Sequence, residues 1–395
     1  MDDYQFGFRT NSDFSIYLRI NPALMDPACS STSRDRREEH VPQGAIAIHT
    51  GGGFYSKSLL ERIQPYCREA CDSGLQQLLL GKSAVEAVTE AIAVLESCSY
   101  LNAGIGSNLN RVGLPELDAS IMDGNDGSFG SICCCKILAN PIRGARLLLD
   151  NCRRGVDTNG LVLPLMLSES GIEHFCREKG LRTCSPEDLI TEDSYRYFRE
   201  EIDAVSRQQN STTGMHTTAT NLADTVGAVA VDSTGRTASG CSSGGLLLKH
   251  PGRIGPAAVT GCGCYSKSFG LGPSIACCTS GTGEILMRSN LARSYCESVI
   301  ASPDPDPFTP INKIFSKDVV YNPVYSCYPE RYTALIGLFV SEGSGAELIW
   351  GHNTPTFVIS YQTTCMKKSK FICSKLKSSS LSEAYAISST RLKFI

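Results

Sequence analysis

The threonine at position 225 is where the sequence offers a nucleophile. Asp224-Thr225 closes a polar stretch and opens the most regular apolar run of the chain, Val226-Gly-Ala-Val-Ala-Val231. A threonine at a new N-terminus carries nucleophile and base together: Oγ attacks a carbonyl while the α-amine takes the proton. A free α-amine titrates near pH 8, so a modest depression leaves it neutral and basic at pH 7. An internal threonine has no such amine, so this chemistry requires a cut between Asp224 and Thr225. On composition alone Thr225 is an ordinary strand-opening residue. Glycine-rich loops at Gly51–Gly53, Gly104–Gly106, Gly244–Gly245 and Gly281–Gly283 follow apolar runs. None reads GxxxxGK[ST] or GxGxxG, which argues against a nucleotide phosphate site. Such glycines do let backbone N–H groups approach a ligand closely, as an oxyanion hole needs.

These residues need elements to hold them. Gly44–Ile48 reads as a short strand running into His49-Thr-Gly-Gly-Gly53, and Lys57–Leu80 as a helix interrupted near Pro65. Ser83-Ala-Val-Glu86 opens a second helix as a capping box. Strands are expected at Glu116–Met122 and Ser128–Leu138, and helices from Asn140-Pro141 to Asn151 and from Ser168 to Lys179. Thr225–Val231 and Arg236–Ser242 pair over the turn Asp232–Gly235. Ala257–Cys264 and Ser274–Thr279 read as strands, Gly283–Ile300 as helix, and Tyr332–Val340, Ala346–Trp350 and Thr356–Tyr361 as further strands. Composition marks residues 1–40 as a disordered lead, 184–224 as a flexible loop, and the chain beyond Met366 as a fraying basic end. Helices, strands and helices again imply sheet layers covered by helices.

Composition narrows the function classes. The 395 residues carry 37 basic and 40 acidic side chains, a net charge of −3 with no footprint for nucleic acid or an anionic membrane. No apolar run of about 18 residues exists to span a bilayer. The 19 cysteines include Cys133–Cys135, Cys262, Cys264, Cys277 and Cys278. Their spacing suits neither paired disulfides nor zinc, and the acidic Met1-Asp2-Asp3 start is unlike a secretory leader. The expectation is a reduced intracellular protein. Its cysteines are buried filler, and it needs no metal or other cofactor.

Several motifs stand in one order along residues 44–300. They are His49-Thr-Gly-Gly-Gly53, Asn102-Ala-Gly-Ile-Gly-Ser-Asn108, Glu116-Leu-Asp-Ala-Ser-Ile-Met-Asp-Gly124 and Asp224-Thr225-Val-Gly-Ala-Val-Ala-Val-Asp232. Ser242-Ser-Gly-Gly245, Pro251-Gly-Arg-Ile-Gly255 and Thr279-Ser-Gly-Thr-Gly-Glu284 complete the series. Together they resemble the type 2 asparaginases, members of the N-terminal-nucleophile hydrolases. Within that family, Ser242–Arg253 and Gly261-Cys-Gly-Cys264 are similar to the taspase (threonine aspartase) branch. The resemblance implies an α+β fold, a four-layer αββα sandwich forming one catalytic domain in two cleaved parts, 41–224 and 225–395.

It also implies roles. Thr225 self-cleaves after Asp224 and then acts as nucleophile. Ser243 tunes the Thr225 amine. Ser280 and Gly281 form the oxyanion site. Gly51, Gly53, Asn102 and Asn108 line the substrate site, and Arg253 takes a substrate carboxylate. In the small-substrate asparaginases the last motif resembles Arg-Val-Gly-Asp, with the acid on the substrate's ammonium. Here that position is Pro256. The implied activity is a threonine-type endopeptidase cutting after aspartate. Its implied substrates are nuclear regulators, the trithorax-type methyltransferases and the precursor of transcription factor IIA. An isoaspartyl peptidase/L-asparaginase is the alternative. The implied assembly is an αβ heterodimer pairing into a dimer of heterodimers. The location that the family resemblance implies is the nucleus, the cytoplasm or both.

Overall fold

The computed structural model describes residues 43–209, 225–269, 272–301, 305–319, 321–341, 345–376 and 385–393. The lead over 1–40, the end of the loop before Thr225, Asp224 itself and residues 342–344, between two of the expected strands, lie outside the described residues. The unit described is Val41–Ile395.

Among the described residues, eight strands form one sheet and five another. The first takes the order β12-β11-β1-β5-β6-β2-β3-β4. Its strands are β1 (Ala45–Gly53), β2 (Leu117–Asp123), β3 (Phe129–Cys135), β4 (Met166–Ser168), β5 (Val226–Val231), β6 (Thr237–Ser243), β11 (Thr356–Thr363) and β12 (Lys370–Lys375). The second runs β13-β10-β9-β8-β7. It holds β7 (Cys264–Ser268), β8 (Ser274–Gly281), β9 (Thr333–Val340), β10 (Ala346–His352) and β13 (Ala386–Leu392). Nearly all central strands are buried on both faces, so they read as continuous apolar or small-residue runs rather than alternating ones.

Strand alternation sorts these residues into layers. Ile46, Ile48, Val226, Ala228, Ala230 and Ala238 pack under α1 (Lys57–Leu79), α2 (Ala84–Glu96) and α3 (Pro141–Arg154). Their neighbours Ala45, Ala47, Val229, Val231 and Cys241 face the other way. They meet Ala276, Cys278, Ala334 and Ile336 of the second sheet. The outer face of that sheet, Ile275, Cys277 and Leu335, is covered by α6 (Gly283–Ser289), α7 (Leu291–Ile300) and α8 (Phe308–Lys313). The order is helix, sheet, sheet, helix: the expected four layers.

Local departures have local causes. Helix α1 is continuous through Pro65. The Ser83 hydroxyl donates to the Glu86 carboxylate rather than capping the backbone. The Ala84 N–H at that end donates instead to Asp232 Oδ2 at 3.3 Å. Asn290, at φ 49°, breaks the expected Gly283–Ile300 helix into α6 and α7. The expected strand over Ala257–Cys264 is a 3-10 turn, Pro256–Ala258, followed by loop; strand begins only at Cys264. Proline lacks the N–H a ladder needs and fits the first position of a turn.

Two more segments correct the composition reading. A helix, α5 (Glu192–Gln209), occupies much of the stretch 184–224, and α4 (Glu169–Lys179) ends, as expected, at Gly180. Beyond Met366 the chain forms β12 and β13, each an edge strand. The lysines and serines of these strands are what an exposed sheet edge tolerates. The described cysteines are all free, and most are buried.

Candidate active site

The same alternation brings the chemistry-bearing residues to one layer. Thr225 is two residues before Gly227 and four before Val229, so it faces the second sheet, and it is buried. Strand β6 pairs Ser242 with Val226, so one further step sets Ser243 across from Thr225. On the other side β1 pairs His49 with Gly227, the last pair of that ladder, and the Gly51–Gly53 loop follows it directly. Ser280, on the inward face of β8, is fully buried and accepts the Gly52 N–H at 3.1 Å. Thr225, Ser243 and Ser280 therefore face the same inter-sheet layer, with the Gly51–Gly53 loop tied to Ser280.

The β1 loop is shaped for this. Its pairing with β11 slips between His49 and Gly52, and Gly51 adopts φ 99°, which only glycine takes without strain. Gly51 N–H donates to His49 Nδ1 at 3.2 Å, so the imidazole proton sits on Nε2. Nε2 has no hydrogen-bond partner among the described residues, and burial pulls the His49 pKa down to about 3, with the nearby Thr225 backbone opposing it weakly. His49 is thus a neutral ring packed against the start of β5 rather than an acid or base. Gly53 lies further along, its carbonyl accepting the Thr356 hydroxyl at 2.7 Å.

A side chain at Gly227 would put Cβ 2.4 Å from His49 Nε2 and 2.8 Å from Cys278 Sγ. Gly227→Ala is therefore expected to displace His49 and destabilise the fold by about 1–3 kcal/mol. Thermal unfolding checks this; an unchanged melting temperature would refute the close packing.

Gly281 follows Ser280 at φ 135°, and a Cβ there would stand 2.2 Å from the Tyr332 carbonyl oxygen. The loop after it is tied to the second sheet. Thr282 N–H donates to Tyr332 O at 2.8 Å. Asn353 accepts the Thr333 N–H and donates to Arg331 O at 2.8 Å. Sequence reasoning missed Asn353, which sits in no recognised motif.

Asn102 and Asn108 are brought to the Ser243 loop, with their amides turned to the protein. Both Nδ2 groups donate to Gly245 O at 2.9 Å, and Asn102 Oδ1 accepts the Asn108 N–H at 2.9 Å. Of the oxygens and nitrogens of these two amides, Asn108 Oδ1 has no partner among the described residues. Ser243 Oγ accepts the Gly245 N–H at 3.0 Å, so the asparagines hold the loop that holds Ser243.

Gly240-Cys-Ser-Ser-Gly244 also spells G-x-S-x-G, but here it runs along a strand instead of turning into a helix. Ser242 faces the helix layer, beside the fully buried Glu96. Burial pushes the Glu96 carboxyl up to about 8, and Glu96 Oε1 accepts the Ile142 N–H at 3.1 Å. The folded state therefore binds a proton that the unfolded chain, with its ordinary value of 4.5, has released. Stability falls as pH rises from 4.5 toward 8. Glu96→Gln removes that loss, and its advantage over wild type is expected to grow to a few kcal/mol across this range. Denaturant titrations at both ends test it; parallel curves would sink the idea.

Arg253 lies beside this loop. A Cβ on Gly245 would stand 3.4 Å from its Nη1, and one on Gly283 would stand 2.6 Å from its Nη2. Glu284 Oε1 takes its other edge, at 2.9 Å from Nε and 2.7 Å from Nη2. Pro256 is buried under Gly283 and carries no charge. Lys249 is buried and donates to Glu116 O at 2.6 Å. His250 is exposed.

Two sheets packed face to face between helix layers are the fold of the N-terminal-nucleophile hydrolases, and here a buried threonine opens β5 between them. The model of the asparaginase family matches residues 42–305, and the chain belongs to that family. It is 34% identical over 256 residues to an isoaspartyl peptidase of Escherichia coli, covering 62% of this chain and 74% of that one. It is 35% identical over 250 residues to a bovine (Bos taurus) isoaspartyl peptidase/L-asparaginase, covering 63% and 74%. The corresponding human (Homo sapiens) protein is 34% identical over 249 residues, with the same shares. The protein is a hydrolase. No helix among the described residues is long and apolar enough to cross a membrane.

Proposed function

We propose that this hydrolase cuts its own chain between Asp224 and Thr225 and then cleaves peptide bonds that follow aspartate in protein substrates. In the first step Thr225 Oγ attacks the Asp224 carbonyl carbon. The C–N bond breaks, the acyl group passes to Oγ, and the leaving nitrogen keeps its own hydrogen and takes the Oγ proton, becoming the new α-amine. Water hydrolyses that ester, releasing the Asp224 carboxylate and restoring the Thr225 hydroxyl. In turnover the α-amine takes the Oγ proton and returns it to the leaving nitrogen. Ser243, across the strand pair, hydrogen-bonds the amine. Ser280 and Gly281 stabilise the oxyanion, each donor worth about 3 kcal/mol.

The observation that carries the preference for aspartate is Arg253. Its Nη1 borders the Ser243 loop while Glu284 holds its other edge, and position 256 is a buried proline. A guanidinium suits a substrate carboxylate. A buried proline offers nothing to a free α-ammonium, which a small amino-acid substrate would present and an internal peptide amide does not.

A second reading, isoaspartyl peptidase or L-asparaginase, is favoured by the names of the relatives reported above. The purified, self-cleaved protein given an internal aspartate-glycine peptide, a β-aspartyl dipeptide and free asparagine separates the two. Turnover of the peptide with little on the others is expected. Turnover confined to the β-aspartyl dipeptide and asparagine would overturn the first reading in favour of the second.

A further inference from the structure

Two buried carboxylates near the site have no part in that mechanism. Glu116 and Asp118 stand two apart at the start of β2, on the face turned toward the second sheet, and both are fully buried. Each reaches the turn that carries Arg253. Glu116 Oε2 accepts the Gly252 N–H at 3.0 Å, one residue before the arginine. Asp118 Oδ2 accepts the Gly255 N–H at 2.7 Å, two residues after it.

We infer that Glu116 and Asp118 are positioning residues for Arg253, gripping its turn from both sides and so setting where the guanidinium meets a substrate carboxylate.

The surroundings explain why carboxylates serve here. Asp118 Oδ1 also accepts the Cys134 N–H at 2.9 Å, in a β3 bulge where Cys134 adopts φ 51°. Both Asp118 oxygens are thus used on backbone donors belonging to two different segments. Buried carboxylates need such partners to stay charged. Lys249 supplies the countercharge beside Asp118, and Lys136 Nζ lies 3.3 Å from Glu116 Oε1. Three acids (Glu116, Asp118, Glu284) and three bases (Lys136, Lys249, Arg253) balance, so the turn is held without a net buried charge. The spacing of the acids matches the strand period of two, which lets one rigid strand hold both ends of a mobile type of element, a turn.

The inference rests on Arg253 binding the substrate carboxylate, and the test separates the two claims. KM and kcat for the aspartate-glycine peptide are measured for Asp118→Asn, Glu116→Ala, Glu116→Gln and Arg253→Ala, and for each acid variant combined with Arg253→Ala. An asparagine cannot accept from two N–H groups through two oxygens, so Asp118→Asn should raise KM about tenfold with little change in kcat. Glu116→Ala should do the same, and Glu116→Gln, which keeps an acceptor for Gly252, should recover the wild-type KM. In the Arg253→Ala background the acid substitutions should add nothing. If Arg253→Ala leaves KM and kcat unchanged, the reading of Arg253 fails. If it weakens turnover while the acid variants are silent, or if their effects add fully to it, the positioning inference fails. Should Asp118→Asn not fold with Lys249 left unpaired, Asp118→Asn/Lys249→Met removes both charges and is read in the same way.

Discussion

Thr225→Ala is expected to remain a single uncut species by intact-mass measurement and to lose turnover by a factor on the order of 10⁴ or more. The loss is large because one residue serves three purposes in the proposed mechanism. Its Oγ forms the ester in self-cleavage, forms the acyl-enzyme in turnover, and its freed amine handles the proton. Without the first event there is no α-amine, so the second cannot be rescued by an external base. The methyl and hydroxyl removed are buried, which lowers stability by about 1 kcal/mol. That shifts a melting curve slightly and cannot account for four orders of magnitude. Thr225→Ser keeps the oxygen and the amine and is expected to cut itself, more slowly, since it loses the γ-methyl packed in the inter-sheet layer. Measured turnover by Thr225→Ala would remove Thr225 as nucleophile and leave the neighbouring serines to be tested. Uncut wild-type protein after prolonged incubation would equally refute the self-cleavage step.

Much of the scaffold behind Thr225 was legible because local signals agree there. Strand β5 alternates valine with glycine and alanine and sits between a polar stretch and an Asp232–Gly235 turn. Helix α3 starts with proline at its first position and ends at Gly155, the punctuation expected of a helix. Element order implied sheet layers covered by helices, and the family resemblance implied that there are four. What failed to show was set by context. In α5, Tyr195, Phe198, Ile202 and Val205 do recur at helical spacing, but polar residues dominate the segment and mask it. The Phe198 ring in fact comes within 3.4 Å of a Cβ placed on Gly113, so the helix packs on the body of the protein. The break at Asn290 depends on one residue adopting left-handed geometry, which composition does not fix.

The site divides in the same way. Thr225, Ser243, Ser280 and Gly51 stand in motifs; strand register sets Ser243 beside Thr225, and the packing of one sheet on the other brings Ser280 to the Gly51–Gly53 loop. Glu116 and Asp118 act on backbone N–H groups more than 130 residues away in the chain, contacts that leave no trace in side-chain spacing. Asn353 is similar, since its partners are the Arg331 carbonyl and the Thr333 N–H. Backbone partners are residue-neutral, so a sequence pattern cannot announce them.

Arg253→Ala is expected to lower kcat/KM for an aspartate-glycine peptide by a factor on the order of 10²–10³, carried mainly by KM. The guanidinium is largely shielded, its side chain 16% exposed, and it is held on one edge by Glu284. A carboxylate arriving on the free edge would bind in a site of reduced dielectric, where a charge-assisted bond is stronger than at the surface. Truncation removes that bond and also leaves Glu284 beside the site with no cation, so an incoming aspartate meets repulsion where it had met attraction. Arg253→Lys separates geometry from charge. An ammonium keeps the sign but cannot hold Glu284 through Nε and Nη2 while offering a second edge to substrate, so it should recover only part of the loss. Glu284→Gln should weaken binding less than Arg253→Ala, because the arginine keeps its charge and loses only its brace. A control peptide with asparagine in place of aspartate should be a poor substrate of the wild type and nearly indifferent to Arg253→Ala. If Arg253→Ala instead slows both peptides equally, the arginine supports the fold of the loop and the preference for aspartate must come from elsewhere.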